Sequence, residues 1–192
     1  KRIGSKRLAA MIIGLLIISS MLAGNSFAQL NQFVAEHSAG QQAFERGQYA
    51  LALKHYENAL DVATKHQIPE IHQATLYRNM GIAVGLYGDS TTSWKILEQS
   101  LQLHLRLFGA NDSRTSDIYK ILATAYNLDM QLTKAAEAQQ EHIRIETAKK
   151  GADHIDVLAA QSNYYMFQHQ SKPHDSATGI RDVVKRARAR YA

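Results

Sequence analysis

A repeat period of about 42 residues is the feature that most limits what this chain can fold into. Gly109-Ala110-Asn111-Asp112 is followed one such period later by Gly151-Ala152-Asp153-His154. Two turn-like stretches upstream, Arg46-Gly47-Gln48-Tyr49 and Tyr87-Gly88-Asp89-Ser90, have nearly the same spacing. Self-similarity at a fixed spacing of this length is typical of repeat proteins, in which each unit is one supersecondary element that packs on its neighbours.

The apolar residues predict two helices in each period. From residue 49 to residue 63 they recur every three or four positions, as on one face of a helix. Small residues at Gly40, Ala52 and Ala59 allow two helices to approach closely, and Phe44 and Tyr56 are large enough to fill the space around that contact. The predicted helix pairs are 30–46 with 49–66, 69–87 with 90–108, 113–128 with 131–149, and 154–170 with 175–190.

Helix ends are predicted from residues with special backbone or capping chemistry. Pro69 suits the first turn of a helix, where its missing N–H group needs no partner. Asp112 and Asp153 are predicted as N-caps, because a carboxylate can accept hydrogen bonds from the free N–H groups of a first turn. With only two prolines and no cysteine in 192 residues, the composition also fits an all-α fold.

This pattern resembles the tetratricopeptide repeat (TPR), a helix pair with large and small residues at fixed places. The matching residues are Ala39-Gly40, Ala52, Tyr56 and Ala59 in the first unit; Tyr77, Met80-Gly81, Val84, Ser93, Leu97 and Ser100 in the second; Tyr119, Leu122-Ala123, Tyr126 and Ala135 in the third; and Tyr164 and Ala177 in the fourth. The resemblance implies an all-α, right-handed α-solenoid of antiparallel helix pairs. Its four repeats are expected at about 30–68, 69–110, 111–152 and 153–192.

The long spacing is similar to that of kinesin light chains, whereas the usual TPR unit has about 34 residues. The resemblance implies a concave groove, lined by the first helix of each pair, that binds a peptide or a partner protein. Carried over position by position, the groove residues are expected to be His37, Gln41, Arg78, Asn79, Lys120, Thr124, Asn127 and Asn163, with His169 beside them. Arg78 and Lys120 could attract a carboxylate, and the asparagine amides could bond to a peptide backbone.

Residues 1–28 have the pattern of a secretory signal peptide. Residues 1–7 carry four basic and no acidic side chains, residues 8–24 are uncharged and mostly apolar, and small residues precede the end at Ala28. The predicted organisation is therefore a leader at 1–28 and a helical repeat domain at 29–192. The expected location is the periplasm or cell envelope of a bacterium. An uncleaved segment 8–24 acting as a membrane anchor is the alternative.

Composition argues against nucleic acid as a partner. Without the four basic residues of the leader, 18 Lys and Arg stand against 17 Asp and Glu, so the repeat domain lacks the basic excess of a phosphate-binding surface. No enzymatic activity, cofactor or metal is expected. The sequence has no Gly-rich phosphate loop, and its histidines include no pair at the i, i+3 or i, i+4 spacing that two metal ligands on one helix face would have. Gly88-Asp89-Ser90 resembles part of a hydrolase motif, but Ser90 is predicted to cap the helix that follows and not to act as a nucleophile.

The last helix carries a strongly basic run, with Arg181, Lys185, Arg186, Arg188 and Arg190. An apolar stripe of Ile180, Val183, Val184, Ala187 and Tyr191 is expected to face the repeat before it. The run is interpreted as the polar face of a capping helix, the alternative being attraction to anionic lipid or an acidic partner. The predicted function is a protein-binding scaffold or adaptor. A self-associating structural component of the cell envelope is the alternative.

Overall fold

The computed structural model describes residues 27–169 and 172–191, and all of their regular structure is helical. Predictions that concern residues 1–26 lie outside this range. Helix α1 covers residues 27–45, so Phe27 and Ala28, at the end of the predicted leader, already belong to it. The helices that follow are α2 Tyr49–Lys65, α3 Glu70–Tyr87, α4 Ser90–Phe108, α5 Ser113–Leu128, α6 Leu132–Lys150, α7 Ile155–Gln168 and α8 Pro173–Tyr191.

Each helix from α2 onward packs on the helix next to it in the sequence, which is the architecture of a solenoid. The four predicted helix pairs are confirmed, with most ends close to the predicted ones. Helix α3 also contacts α5 directly. The odd-numbered helices therefore share one side of the array, and the even-numbered helices form the other side.

Glycines set the distance between the two helices of a pair. A Cβ atom at Gly40 would lie 2.6 Å from the ring of Tyr56, and one at Gly81 would lie 2.5 Å from Cγ of Leu97. Tyr56 and Leu97 are 1% and 0% exposed, so neither can move aside into solvent. The close approach predicted for Gly40 is confirmed, and the second pair repeats it with leucine in place of tyrosine.

Leu97 joins successive repeats. It lies on α4, packs on Gly81 of its own pair, and forms a buried cluster with residues of α5 and α6 that include Ile118, Leu122 and Ala135. A second cluster holds the first pair together and extends to Leu76 and Met80 of the next pair. Since no pair buries its apolar face by itself, neighbouring repeats stabilise one another.

The helix starts confirm one of the two predicted caps and correct the other. Asp112 caps α5 as expected, and its carboxylate accepts a hydrogen bond from the backbone N–H of Arg114. Asp153 does not cap α7. The cap is His154, which lies one repeat period after Asp112 and whose Nδ1 accepts from the N–H of Asp156 at 3.2 Å. Pro69 lies one residue before α3, at its N-cap position.

Asp129 ties the second repeat to the third. Its carboxylate accepts hydrogen bonds from the hydroxyls of Thr91 (2.5 Å) and Ser90 (3.2 Å) and from the indole N–H of Trp94 (2.8 Å), all on α4. The amide of Gln131 donates to it as well, at 2.6 Å. These bonds, with that from Thr91 the largest contribution, lower the pKa of Asp129 to about 2. Ser90 therefore belongs to an inter-repeat contact at the start of α4.

Helix α8 is seated differently from the predicted stripe. Val183 is buried, but Val184 and Tyr191 are 43% and 54% exposed. Arg186, expected on the outer face, turns inward: it bonds to Gln161 and forms ion pairs with Asp153 at 3.4 Å and Asp182 at 3.0 Å. Arg186 thus helps to fix α8 to α7. Within the described part of the chain, no helix is both long and apolar enough to cross a membrane.

Candidate functional site: a groove along the odd-numbered helices

A groove of about 600 Å³ lies between α1 and α3, with Tyr56 of α2 at its base. Helix α1 contributes His37, Gln41, Phe44 and Glu45, and α3 contributes Thr75, Arg78, Asn79 and Ile82. We call this part of the surface the polar groove. Four of the expected groove residues line it: His37, Gln41, Arg78 and Asn79.

A second depression of about 300 Å³ continues between α3 and α5, and we call it the apolar slot. Arg78 and Ile82 line both parts, so the two form one continuous groove. Lys120 and Thr124 line the slot, as expected from the resemblance. The rest of its lining is mainly apolar: Ile82, Gly85, Leu86, Leu97, Ile121, Ala125 and Leu128, with Ser93.

Three expected residues lie elsewhere. Leu128, in place of Asn127, lines the end of the slot, and Asn127 stands in the last turn of α5, where its carbonyl accepts from the N–H of Met130. Asn163 is exposed on α7 and lines neither part of the groove, and His169 is exposed just after that helix. The groove is thus built by α1, α3 and α5.

Sequence reasoning missed the apolar wall of the slot. Ile82 and Leu86 follow Arg78 at steps of four, and Leu128 follows Thr124 by four, so each lies on the same helix face as a predicted polar residue. Leu86 is 54% exposed and Leu128 is 60% exposed. A sequence signal for these residues exists: each is a large apolar residue four positions after another residue that lines the groove.

Among the described residues, the groove lining has two cations, Arg78 and Lys120, and one acid, Glu45. Within the described residues, neither Arg78 nor Lys120 has a carboxylate in ion-pair range; the guanidinium of Arg78 donates to the amide oxygen of Asn79 at 3.2 Å. Lys120 is exposed. Glu45, at the far side of the polar groove, accepts a hydrogen bond from Gln41 instead. The groove can therefore attract an anionic group next to an apolar one.

His37 adds an unused hydrogen-bonding atom to the wall. Its ring lies between Phe33 and Tyr56, with centroids 5.9 and 6.1 Å away. Nε2 is buried and has no hydrogen-bond partner in the part of the chain that the structure describes. Burial, assisted by the nearby His72, lowers the pKa of His37, which favours the neutral ring.

The other side of the array has depressions of its own, which the sequence did not suggest. One of about 530 Å³ lies between α6 and the end of α7, lined by residues that include Met130, Leu132, Tyr164 and Phe167. A smaller one of about 300 Å³ lies over α5 between α4 and α6. The first has Lys172 with Glu137 in its lining, and the second has Lys134 with Glu137 and Glu141, so neither has the excess of positive charge of the groove.

Ser116, His142 and Glu146 meet in the third repeat, but their order does not suit catalysis. The Ser116 hydroxyl donates to Oε1 of Glu146 at 3.0 Å and lies 2.9 Å from Nδ1 of His142. A nucleophilic serine donates to a histidine that a carboxylate orients, whereas here the serine stands between the other two. Ser116 is also 0% exposed. No group of three potential metal ligands occurs among the described residues.

Burial governs the protonation of the two core histidines. It lowers the pKa of both His104 and His142. His142 is faced by Glu146 of its own helix, and by Lys120 and Asp117 from α5. Burial alone would raise the pKa of Glu146, but hydrogen bonds from Lys150 and Ser116 outweigh it, and the net pKa is lowered. These shifts favour the neutral ring at His104 and His142, and the ionised carboxylate at Glu146, which lies beside His142.

Stability is therefore expected to fall as the pH drops below the ordinary histidine value of 6.5. The folded-state pKa of each core histidine is below its unfolded value, so the unfolded chain binds more protons in this range and is favoured. Urea midpoints measured from about pH 7.5 to about pH 5 should decrease, and His104→Gln with His142→Gln should flatten the slope. An unchanged slope in that variant would contradict the assignment.

Solved structures with the same fold include proteins with kinesin-light-chain repeats. A Podosopora anserina protein described as a kinesin light chain with nearly identical TPR-like repeats aligns over 82% of this chain and 75% of its own, with 17% identity and a TM-score of 0.71. BtubC (BKLC) from P. vanneervenii aligns over 82% of this chain, with 19% identity and a TM-score of 0.73. The match spans 63% of BtubC, less than two thirds of its length.

These similarities establish the fold, a right-handed α-solenoid of TPR-like helix pairs. No protein-family model matches the sequence, and no curated protein matches it. The fold predicted from the repeat spacing is confirmed, and the identity of any partner has to be inferred from the groove.

Proposed function

We propose that this protein is an exported, non-enzymatic adaptor that binds an extended segment of a partner polypeptide in the groove of α1, α3 and α5. The observation that carries the proposal is the pair of unpaired cations, Arg78 and Lys120, beside the apolar slot. In a segment with an acidic group followed by leucine-like side chains, the acidic group would pair with the two cations and the apolar side chains would fill the slot.

Physical chemistry supports a preference for such a segment. A guanidinium and an ammonium that have no acid of their own gain charge-assisted hydrogen bonds when a carboxylate arrives. Ile82, Leu86 and Leu128 gain by losing contact with water. A groove formed on packed helices is ordered before binding, which reduces the entropic cost of association.

The test is selection from a random peptide library displayed on phage, with the purified protein as bait. The expected consensus is an acidic residue, or the C-terminal carboxylate, next to leucine, isoleucine or methionine. Selection of basic peptides, or of no consensus, would contradict the proposed chemistry. Fluorescence anisotropy with the consensus peptide then gives the affinity.

The cellular location is part of the proposal and is supported by the charge and hydropathy pattern of residues 1–28. Expression in a Gram-negative bacterium, followed by fractionation and N-terminal sequencing, should give a periplasmic protein that begins at Gln29. Recovery of an intact N terminus in the membrane fraction would favour the anchored alternative.

Self-association is a second candidate function, supported by an apolar row on α1. Leu30 and Val34 are 44% and 54% exposed, and their spacing of four places them on one helix face. Phe27, 68% exposed, extends the row in the form whose leader is not cleaved. A second copy could cover this row. Light scattering over a concentration series distinguishes the two functions, because an adaptor of the proposed kind stays monomeric without its peptide.

A further inference from the structure

The outward face of α8 is a row of cations. Arg181, Lys185 and Arg188 are exposed, and their spacing of four and three places them on one side of the helix. From its first cation to its last, the row extends about 10 Å along the helix axis. Val184 and Tyr191, both exposed large apolar residues, lie along its edge. The Tyr191 hydroxyl donates to the carbonyl of Asp153 at 3.2 Å and accepts from the N–H of Ile155 at 3.0 Å. We call these five residues the α8 face.

Nothing in the described chain neutralises this face. No ion pair involves Arg181, Lys185 or Arg188 within residues 27–169 and 172–191; Arg181 donates only to the hydroxyl of Thr178. Asp182, the nearest acid in sequence, is held by Arg186 on a different side of the helix. The positive charge of the row is thus available to an external partner.

Comparison with the preceding repeat shows that two of the three cations in the row replace neutral residues. Ser176 of α8 is buried like Ala135 of α6, whereas Ala177, matched to this position from the sequence, is only partly buried, so Ser176 and Ala135 set the register between the two helices. This register aligns Arg181 with Gln140, Lys185 with Arg144, and Arg188 with Thr147. Gln140 contacts Tyr164 of the next helix. Arginines at these positions would be costly to bury without paired acids.

We propose that the α8 face binds the surface of an anionic phospholipid bilayer. Three cations that extend from one helix over about 10 Å can each meet a different headgroup of a continuous anionic surface. Val184 beside the row suits the boundary between headgroups and acyl chains, and Tyr191, whose hydroxyl is bonded to the start of α7, can offer only its ring to that boundary. This inference is independent of the groove and of its peptide.

The experiment compares the full chain with two charge-matched variants. Arg181→Gln with Lys185→Gln and Arg188→Gln removes the row, and Arg46→Gln with Lys54→Gln and Lys95→Gln removes three exposed cations elsewhere. Flotation is measured with vesicles of phosphatidylglycerol and phosphatidylcholine, and with phosphatidylcholine alone. Residues 1–26 are the same in every protein, so their contribution cancels.

Loss of the row is expected to reduce the partition coefficient on phosphatidylglycerol vesicles roughly a hundredfold, at about fivefold for each cation. The control variant should lose much less, and added salt should weaken the binding. Acetylation of lysines with a water-soluble ester provides a local readout in the unmodified sequence. Anionic vesicles should protect Lys185 and leave Lys54 reactive.

Three results would overturn the proposal: equal binding of the row and control variants, equal protection of Lys54 and Lys185, or equal binding to both kinds of vesicle in the presence of the row. The proposal would also be overturned if the protein were retained on immobilised poly-glutamate while anionic vesicles failed to protect Lys185 from acetylation. That result would assign the face to an acidic polypeptide. Far-UV circular dichroism of both variants checks that the helices are intact.

Discussion

Leu97→Ala is expected to destabilise the protein by about 3–5 kcal/mol, the usual cost of removing a fully buried leucine from a core that cannot collapse around the cavity. Leu97 is 0% exposed and connects Gly81 of its own repeat to Ile118 and Leu122 of the next one. Its loss weakens both the pair and the contact between repeats. Urea denaturation followed by circular dichroism measures the change.

Gly81 makes this prediction more specific. In the native sequence, Gly81→Ala should destabilise the protein, because the new Cβ would lie 2.5 Å from Cγ of Leu97. In the Leu97→Ala background the clash with Leu97 is gone, and the closest remaining atom is the carbonyl oxygen of Ser93 at 3.3 Å. Alanine's higher helix propensity, worth about 0.5–1 kcal/mol, then offsets this tight contact, so the same substitution should cost much less than in the native sequence. The two substitutions are therefore strongly non-additive.

Leu107→Ala provides the matched control on the same helix. Leu107 is 38% exposed, so its truncation should cost much less than that of Leu97. Equal costs for the two leucines, or an equal cost of Gly81→Ala in both backgrounds, would show that Leu97 is not the packing centre between the second and third repeats.

Arg78→Ala with Lys120→Ala is expected to weaken binding of the selected peptide by about 3 kcal/mol, roughly a hundredfold in Kd, because hydrogen bonds to charged groups are worth about 1.5–3 kcal/mol each. Arg78 lines both parts of the groove, and Lys120 lines the slot. Neither has an ion pair within the described residues, so their removal should leave the helical content and the unfolding midpoint nearly unchanged.

Lys54→Ala with Lys95→Ala is the control for charge. Both lysines are exposed on even-numbered helices, away from the groove, so this variant has the same net charge and should bind the peptide nearly as tightly as the native protein. If the two double variants lose affinity equally, general attraction between charges explains the binding and the groove assignment is wrong.

Much of the fold could be predicted because the repeat spacing, the helical periodicity and the small residues agree. Gly40 opposite Tyr56 is a contact that the sequence identifies, since a close approach of two helices needs a residue without a side chain. Asp153 was predicted as the cap of α7 because aspartate caps helices more often than histidine does, and this prediction was wrong. One full repeat period from Asp112 leads directly to His154, and this register takes precedence over the ordinary preference for aspartate.

The candidate site was less predictable than the fold. Positions carried over from the resemblance identified polar residues such as Arg78, Lys120 and Thr124. They did not identify Leu86 and Leu128, because which apolar side chains remain exposed depends on where neighbouring helices end. Asn163 was placed in the groove by the repeat pattern, but it lies on α7. The groove among the described residues is formed by α1, α3 and α5.

Hydrogen–deuterium exchange with and without the selected peptide tests the central claim most directly, because it reports which helices the peptide covers. Binding in the groove should slow exchange in α3 and α5, around Arg78–Leu86 and Lys120–Leu128, and leave the even-numbered helices nearly unchanged. Protection confined to α4 and α6 would place the peptide on the opposite side of the solenoid and contradict the account.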